Sequence, residues 1–161
     1  MKYNPDTFSS DCKVLAERIG DYAFTHILSV ERGGGYVVRE LARYLKKSIT
    51  VVPIRVSLYD GQTRRLVPHI EYPNMKVFKD TEKVLIVDDL LDSGETIKIV
   101  KNCFVLRKAG DVKVAVLLKK PTSCIEPDFC VRHNVTSWVQ FHWEDEHGHH
   151  NTVCDTPHSA S

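Results

Sequence analysis

Residues 84–96 run Val84-Leu85-Ile86-Val87-Asp88-Asp89-Leu90-Leu91-Asp92-Ser93-Gly94-Glu95-Thr96. The first four are an unbroken apolar, mostly β-branched run. A strand of that kind is buried on both faces, which calls for a parallel sheet covered by helices on either side. At its carboxyl end stand two adjacent carboxylates, Asp88 and Asp89, at the edge of an open α/β sheet where ligands bind. Ser93, Gly94, Glu95 and Thr96 then enter a helix whose first amides have no internal partners, and the glycine and hydroxyls let a phosphate approach closely. Asp88, Asp89 and Asp92 repel one another, so their company calls for a cation or for hydroxyl donors. A ligand offering both hydroxyls and a phosphate monoester is a phosphorylated sugar.

The strand-turn-helix pattern recurs along the chain. Phe8, Cys12, Leu15, Ala16 and Ile19 form one stripe on an opening helix that ends near Gly20. A short apolar run from Phe24 to Val30 meets Gly33-Gly34-Gly35 and a second stripe of Val37, Val38, Leu41, Ala42 and Leu45. Strands follow at Ile49 to Val56 and Lys83 to Val87; a helix carries Thr96, Ile97, Val100 and Phe104 and stops at Gly110; a further strand covers Val112 to Leu118. Leu58 to Pro73 is polar and aperiodic, longer than the usual connection, and reads as a lid loop. The expected architecture is a single α/β domain over residues 1–143: an open, mainly parallel, twisted sheet flanked by helices. Residues 121–143, with Trp138 and Phe141, form a small C-terminal cap, or hood, over the active site. Residues 144–161 form a flexible polar tail that holds four of the eight histidines and no Lys or Arg.

Charge narrows the partners. The 161 residues hold 22 Lys+Arg against 21 Asp+Glu, a net charge of +1, with no run of five like charges. A binder of nucleic acid or of membrane surfaces needs a concentrated field, so the expected partner is small, with no nucleic acid and no membrane. No apolar run reaches the roughly 18 residues of a membrane span, and the first residues lack the apolar centre of a signal peptide, which points to the cytoplasm. Five cysteines without a C-x-x-C pair read as reduced thiols.

Taken at full length, Val84 to Thr96 resembles the phosphoribosyl pyrophosphate (PRPP) motif of type I phosphoribosyltransferases. The segment Ser29-Val30-Glu31-Arg32-Gly33-Gly34-Gly35 resembles that family's pyrophosphate loop, where a basic residue precedes two glycines and a cis peptide is common. The resemblance implies PRPP and phosphate contacts for Arg32, Gly33, Asp88, Asp89, Asp92, Ser93, Gly94, Glu95 and Thr96, and a cis bond at Arg32–Gly33. Leu117-Leu118-Lys119-Lys120-Pro121, Pro127-Asp128-Phe129 and Trp138-Val139 resemble the 6-oxopurine branch, the hypoxanthine, guanine or xanthine phosphoribosyltransferases. There Lys120 would donate to the purine O6, Trp138 would stack on the ring, and the Val139 carbonyl would meet the 2-substituent. An ammonium has donors only, so it favours a carbonyl at position 6 over the exocyclic amine of adenine.

The same resemblance implies Ser57 and Tyr59 in a lid that closes over PRPP, although here Leu58 separates two residues that are usually adjacent. It implies Glu144 beside the pyrophosphate and its Mg²⁺, with Asp88 and Asp89, and Asp92 as the group that takes the purine N7 proton. The activity implied is transfer of the 5-phosphoribosyl group to N9 of a 6-oxopurine, as in purine salvage, by a homodimer or homotetramer. The alternatives are a PRPP- or nucleotide-sensing regulator of the same fold that binds RNA or DNA, and a phosphoribosyltransferase for another base. A receiver domain fits less well, because Asp89 and Lys120 are only 31 positions apart, and a Walker loop is absent. His147, His149, His150, Cys154 and His158 are metal-ligand types in a spacing that matches no closed structural site.

Overall fold

The structure is a computed structural model that describes residues 1–146. Its elements run β1 (Lys2–Tyr3), α1 (Pro5–Ile19), β2 (His26–Val30), α2 (Gly33–Leu41), β3 (Thr50–Asp60), β4 (Thr63–Glu71), β5 (Lys83–Leu91), α3 (Glu95–Lys101), β6 (Asp111–Lys119), β7 (Phe129–Arg132), β8 (Gln140–Phe141) and α4 (His142–Glu146). Helix α1 begins where the Asn4 side chain accepts the Thr7 amide and Pro5 occupies a first-turn position that needs no N–H. It ends at Gly20, whose positive φ of 52° and amide bond to the Ala16 carbonyl close the last turn.

Six strands form the main sheet in the order β4-β3-β2-β5-β6-β7. All neighbours are parallel except β3 and β4, which are antiparallel. Val84, Leu85, Ile86 and Val87 are wholly buried, and their side chains alternate between the two faces. Leu85 and Val87 join the cluster beneath α1 and α2, whereas Val84 and Ile86 join the one beneath α3 with Ile97, Val100 and Phe78. Each such side chain contributes about 1.5–3 kcal/mol relative to exposure. Both faces being covered explains why β5 shows no polar alternation in its sequence.

Three expectations need correction. The stretch from Leu58 to Pro73 is not an irregular loop: β3 and β4 pair along it as a hairpin that turns at Gly61, φ 60°. Both faces of its outer half meet solvent, so selection for burial leaves no apolar period to read. Gly110 does not stop α3; the helix ends at Asn102, a 3₁₀ turn covers Phe104–Leu106, and the Gly110 amide bonds to the Glu82 carbonyl at the foot of β6. Finally, Phe129–Arg132, expected in the cap, is the parallel edge strand of the main sheet, beside β6. Gln140–Phe141 pairs instead with Lys2–Tyr3 in a separate two-stranded parallel sheet.

Residues 144–146, expected in the tail, belong to α4; the histidines from His147 onward and Cys154 lie outside the described residues. Cys12, Cys103, Cys124 and Cys130 are free thiols. Among the described residues no helix is long and apolar enough to cross a membrane.

The two sides of the fold differ in what a truncation costs. Leu85→Ala, at a wholly buried position, is expected to lower unfolding free energy by about 2–5 kcal/mol. Leu66→Ala, on the fully exposed outer strand, should stay within about 0.5 kcal/mol of wild type. Urea unfolding of the two variants checks both.

Candidate active site

From β2 the chain crosses to β3 on one side, then returns to β5 on the other, so the carboxyl ends of β2 and β5 meet at a topological switch point. Helix α2 starts immediately after β2 and rests its first turn on the end of β5. A Cβ on Gly33 would stand 2.1 Å from Asp89 Oδ2, and one on Gly34 would stand 2.4 Å from the Val87 carbonyl oxygen. The second clash is with backbone, so a methyl there would drive the helix away from the acidic pair. A cis peptide joins Glu31 and Arg32, one bond earlier than the expected Arg32–Gly33 position. Gly33 is already the first residue of α2, and helical backbone runs through trans bonds. Arg32 is exposed at the mouth of this loop.

Asp88 and Asp89 are held by short backbone bonds, the Asp89 amide donating to Asp88 Oδ1 at 2.9 Å and the Leu90 amide to Asp89 Oδ1 at 2.7 Å. Burial raises the Asp88 carboxyl well above the usual carboxylate range, and the charges of Asp89 and Glu31 push it the same way. Burial also raises Asp89. Across the cleft, Glu144 on α4 is raised by burial and then by the charge of Asp89. Among the described residues no three His, Cys, Asp or Glu side chains come close enough to hold a metal by themselves. The pair is nonetheless suited to a cation that brings further ligands with it, since positive charge would offset the burial that raises both carboxyls and the charge of Asp89 that raises Asp88 further.

The cleft beside this pair has a volume of about 220 Å³. Asp88, Asp89, Asp92, Ser93, Gly94 and Thr96 form one wall, and Val139, Phe141 and Glu144 face them. The turn after β5 is braced from behind. Gly94 takes φ +81°, and a Cβ there would lie 2.7 Å from Ser123 Oγ. The Cys124 amide donates to the Ser93 carbonyl at 2.8 Å, while the Ser93 hydroxyl accepts the Glu95 amide at 3.3 Å. The Asp92 carboxylate receives Lys120 Nζ at 3.1 Å, and Thr122 Oγ1 donates to the Asp92 carbonyl at 3.1 Å. Lys120 is almost wholly buried and also lies over the Trp138 ring, 5.9 Å from its centroid. One ion pair thus joins the expected proton acceptor to the expected O6 donor.

The lid residues are arranged differently from the simple expectation. Ser57 pairs with His69 and Tyr59 with Arg64, and the pairing register shifts between them. Leu58, the residue between, lines the cleft. Ser57 and Tyr59 are not among the cleft residues. Glu95 is not among the cleft residues; its carboxylate receives Arg64 from the hairpin, which ties β4 to the start of α3. Sequence reasoning passed over Leu58, Phe141, Thr122 and Glu31. Phe141 belonged to a visible aromatic cluster, but Thr122 and Glu31 carry no local signal, because their roles depend on chain segments brought alongside by folding.

The raised carboxyls have a consequence for stability. The folded chain holds protons that the unfolded chain has already released, so this contribution is complete below the unfolded carboxylate range, about pH 4, and is lost as pH rises through the folded values. Asp88→Asn removes the Asp88 share of that loss. The ligand-free variant is expected to gain thermal stability over wild type as pH rises from about 4 to about 8, with no advantage at the acid end. Thermal unfolding followed by circular dichroism measures the difference, and a variant less stable than wild type at neutral pH would contradict the burial argument.

A family model of the phosphoribosyl transferase domain matches residues 9–147. The chain is 31% identical over 112 residues to a hypoxanthine-guanine phosphoribosyltransferase of Streptococcus pneumoniae, covering 68% of this chain and 62% of the relative. It is 28% identical over 101 residues to the enzyme of the same name from Streptococcus pyogenes, covering 59% of this chain and 53% of the relative. The chain thus spans about half the length of the curated relatives it matches. A crystal structure of a purine phosphoribosyltransferase from Pyrococcus horikoshii superposes with a TM-score of 0.77 at 28% identity, over 89% of this chain and 93% of that one. The matched span takes in the glycine loop, the acidic strand end, the turn after β5 and the facing wall, and the chain belongs to the phosphoribosyl transferase domain family.

Proposed function

We propose that this protein transfers the 5-phosphoribosyl group from PRPP to N9 of a 6-oxopurine, releasing pyrophosphate and forming a purine nucleoside 5′-monophosphate. The observation that carries this reading is the shared cleft: the acidic pair and phosphate turn on one wall, Val139 and Phe141 on the other, and the Lys120–Asp92 pair beside them. A sensor of PRPP alone would have no use for the second wall.

In this reading the amides and hydroxyls of Ser93, Gly94, Glu95 and Thr96 receive the 5′-phosphate, and Asp88 and Asp89 hold the ribose hydroxyls. Arg32 and the Gly33 backbone take the pyrophosphate, where a guanidinium fork matches phosphate oxygens. Lys120 donates to the purine O6, Trp138 stacks on the ring, and the Val139 carbonyl meets the 2-substituent. Asp92 accepts the N7 proton as N9 attacks an oxocarbenium-like anomeric carbon. Mg²⁺ arriving with PRPP, which would bring ligands of its own beside Asp88, Asp89 and Glu144, would supply positive charge against the negative charge developing on the leaving pyrophosphate. The hairpin, through Leu58 and the Arg64–Glu95 contact, shields the cleft from water, which would otherwise hydrolyse PRPP. The working form in this reading is a cytoplasmic homodimer or homotetramer acting in purine salvage.

A spectrophotometric screen of hypoxanthine, guanine, xanthine and adenine with PRPP and Mg²⁺ tests the proposal. At least one 6-oxopurine is expected to exceed adenine in kcat/KM by at least about 100-fold. Tight PRPP binding without turnover of any base would overturn the enzymatic reading. Asp92→Asn separates chemistry from binding: kcat should fall about 10²–10⁴-fold while the Kd for PRPP stays nearly constant. An equal loss in both would assign Asp92 to binding.

A further inference from the structure

The wall that faces the phosphate turn is not part of the main sheet. Val139 and Phe141 belong to the β8 segment, whose strand partner is β1, with Tyr3 opposite Phe141 and the Gln140 amide bonded to the Met1 carbonyl at 2.9 Å. Two strands of two residues each have little stability of their own. What anchors them is a side-chain junction on the far side of β1. Tyr3 is 1% exposed, its ring meets Phe141 edge-on at 5.3 Å between centroids, and its hydroxyl donates to Asp11 Oδ2. Asp11 is a buried carboxylate on α1. It also receives Arg132 in a two-pronged bond, Nε to Oδ2 at 2.6 Å and a terminal nitrogen to Oδ1 at 3.1 Å. Arg132 is the last residue of β7, and the chain from there leads through residues 133–137 straight to Trp138.

We infer that Tyr3, Asp11 and Arg132 are positioning residues for the base wall, fixing β1 and the end of β7 to α1 so that Val139 and Phe141 line the cleft and Trp138 lies against Lys120 in one register. A buried carboxylate is retained at a junction only when its lone pairs are filled, and here a hydroxyl and a guanidinium fork fill them from two different segments. Among the described residues, the hydrogen bonds of these three side chains run to one another and to no residue of β5, α3 or the glycine loop. The phosphate wall is held by a different set of hydrogen bonds, within β5, α3 and the loop at residues 120–124. Loosening the junction shifts one wall of the cleft and leaves the other in place.

This inference rests on the proposed function for its kinetic arm. Tyr3→Phe keeps the ring against Phe141 and removes one hydroxyl; Asp11→Asn removes the charge. Each is expected to raise the KM for the accepted purine by about tenfold while the Kd for PRPP changes by less than about twofold, since misplacing a positioning surface weakens what it holds. Arg132→Lys, which keeps the charge but not the fork, should fall between wild type and Asp11→Asn. A loss of thermal stability with KM and PRPP Kd moving together, or neither moving, would reduce the junction to an ordinary structural contact and overturn the proposal. A second arm needs no activity. In a Trp143→Phe background Trp138 is the sole tryptophan, and Tyr3→Phe should increase acrylamide quenching of its fluorescence. If wild type turns over no purine, the proposed function fails alone; the quenching then decides the junction, with unchanged quenching counting against it.

Discussion

Two adjacent carboxylates buried at the end of the central strand are the constraint to which the surrounding structure answers. Asp88 and Asp89 sit where desolvation raises both carboxyls and the charge of Asp89 raises Asp88 further, and the backbone bonds around them offset this only in part. The backbone amides of Asp89 and Leu90 turn toward the carboxylates. Helix α2 brings its first turn down onto them through glycines that leave no side chain in the way. A site that keeps unfavourable charge in the ligand-free state stores affinity for a ligand that brings hydroxyl donors or a cation, and that storage is a common form of stability given up for function.

The cleft is made of two walls with different structural origins. One belongs to the doubly covered sheet: β5, the turn at Ser93 and Gly94, and α3, braced by Lys120, Thr122 and Cys124. Its rigidity comes from core packing, since the strand beneath it is wholly buried. The other wall is an annex of short segments, β1, β8 and α4, held by aromatic contacts and the junction at Asp11. Phe141 stacks on Trp143 at 4.4 Å, and Trp143 stacks on Tyr36 of α2 at 4.6 Å. A surface built this way can vary in register and residue type without disturbing the acidic pair and the turn opposite, a division of labour common to folds that host many functions.

The turn after β5 and the acidic pair were legible because their information is local. Apolar run, carboxylates, hydroxyls and glycine follow one another within thirteen residues, and a both-faces-buried strand has a composition of its own. The hairpin of β3 and β4 was not legible, since a two-stranded ribbon exposed on both sides bears no period. Leu58 reads in sequence as an interruption between Ser57 and Tyr59. In the fold it is the member of that trio that lines the cleft, at the point where the pairing register shifts. Phe129–Arg132 looked like part of a cap because four residues at a sheet edge are too few to establish an alternation.

The amino-acid sequence by itself determined the central strand with its carboxylates, the glycine-led helix α2 and the covered parallel sheet, for each is written in residues adjacent along the chain. Tertiary structure decided the rest. The Lys120–Asp92 pair joins positions 28 residues apart, β1 meets β8 across the length of the domain, and the Asp11–Arg132 bond spans 121 positions. No local propensity encodes such meetings. They exist only once the helices and both sheets have packed, when the cost of leaving a buried carboxylate or an open strand edge unpartnered selects which distant segment completes it.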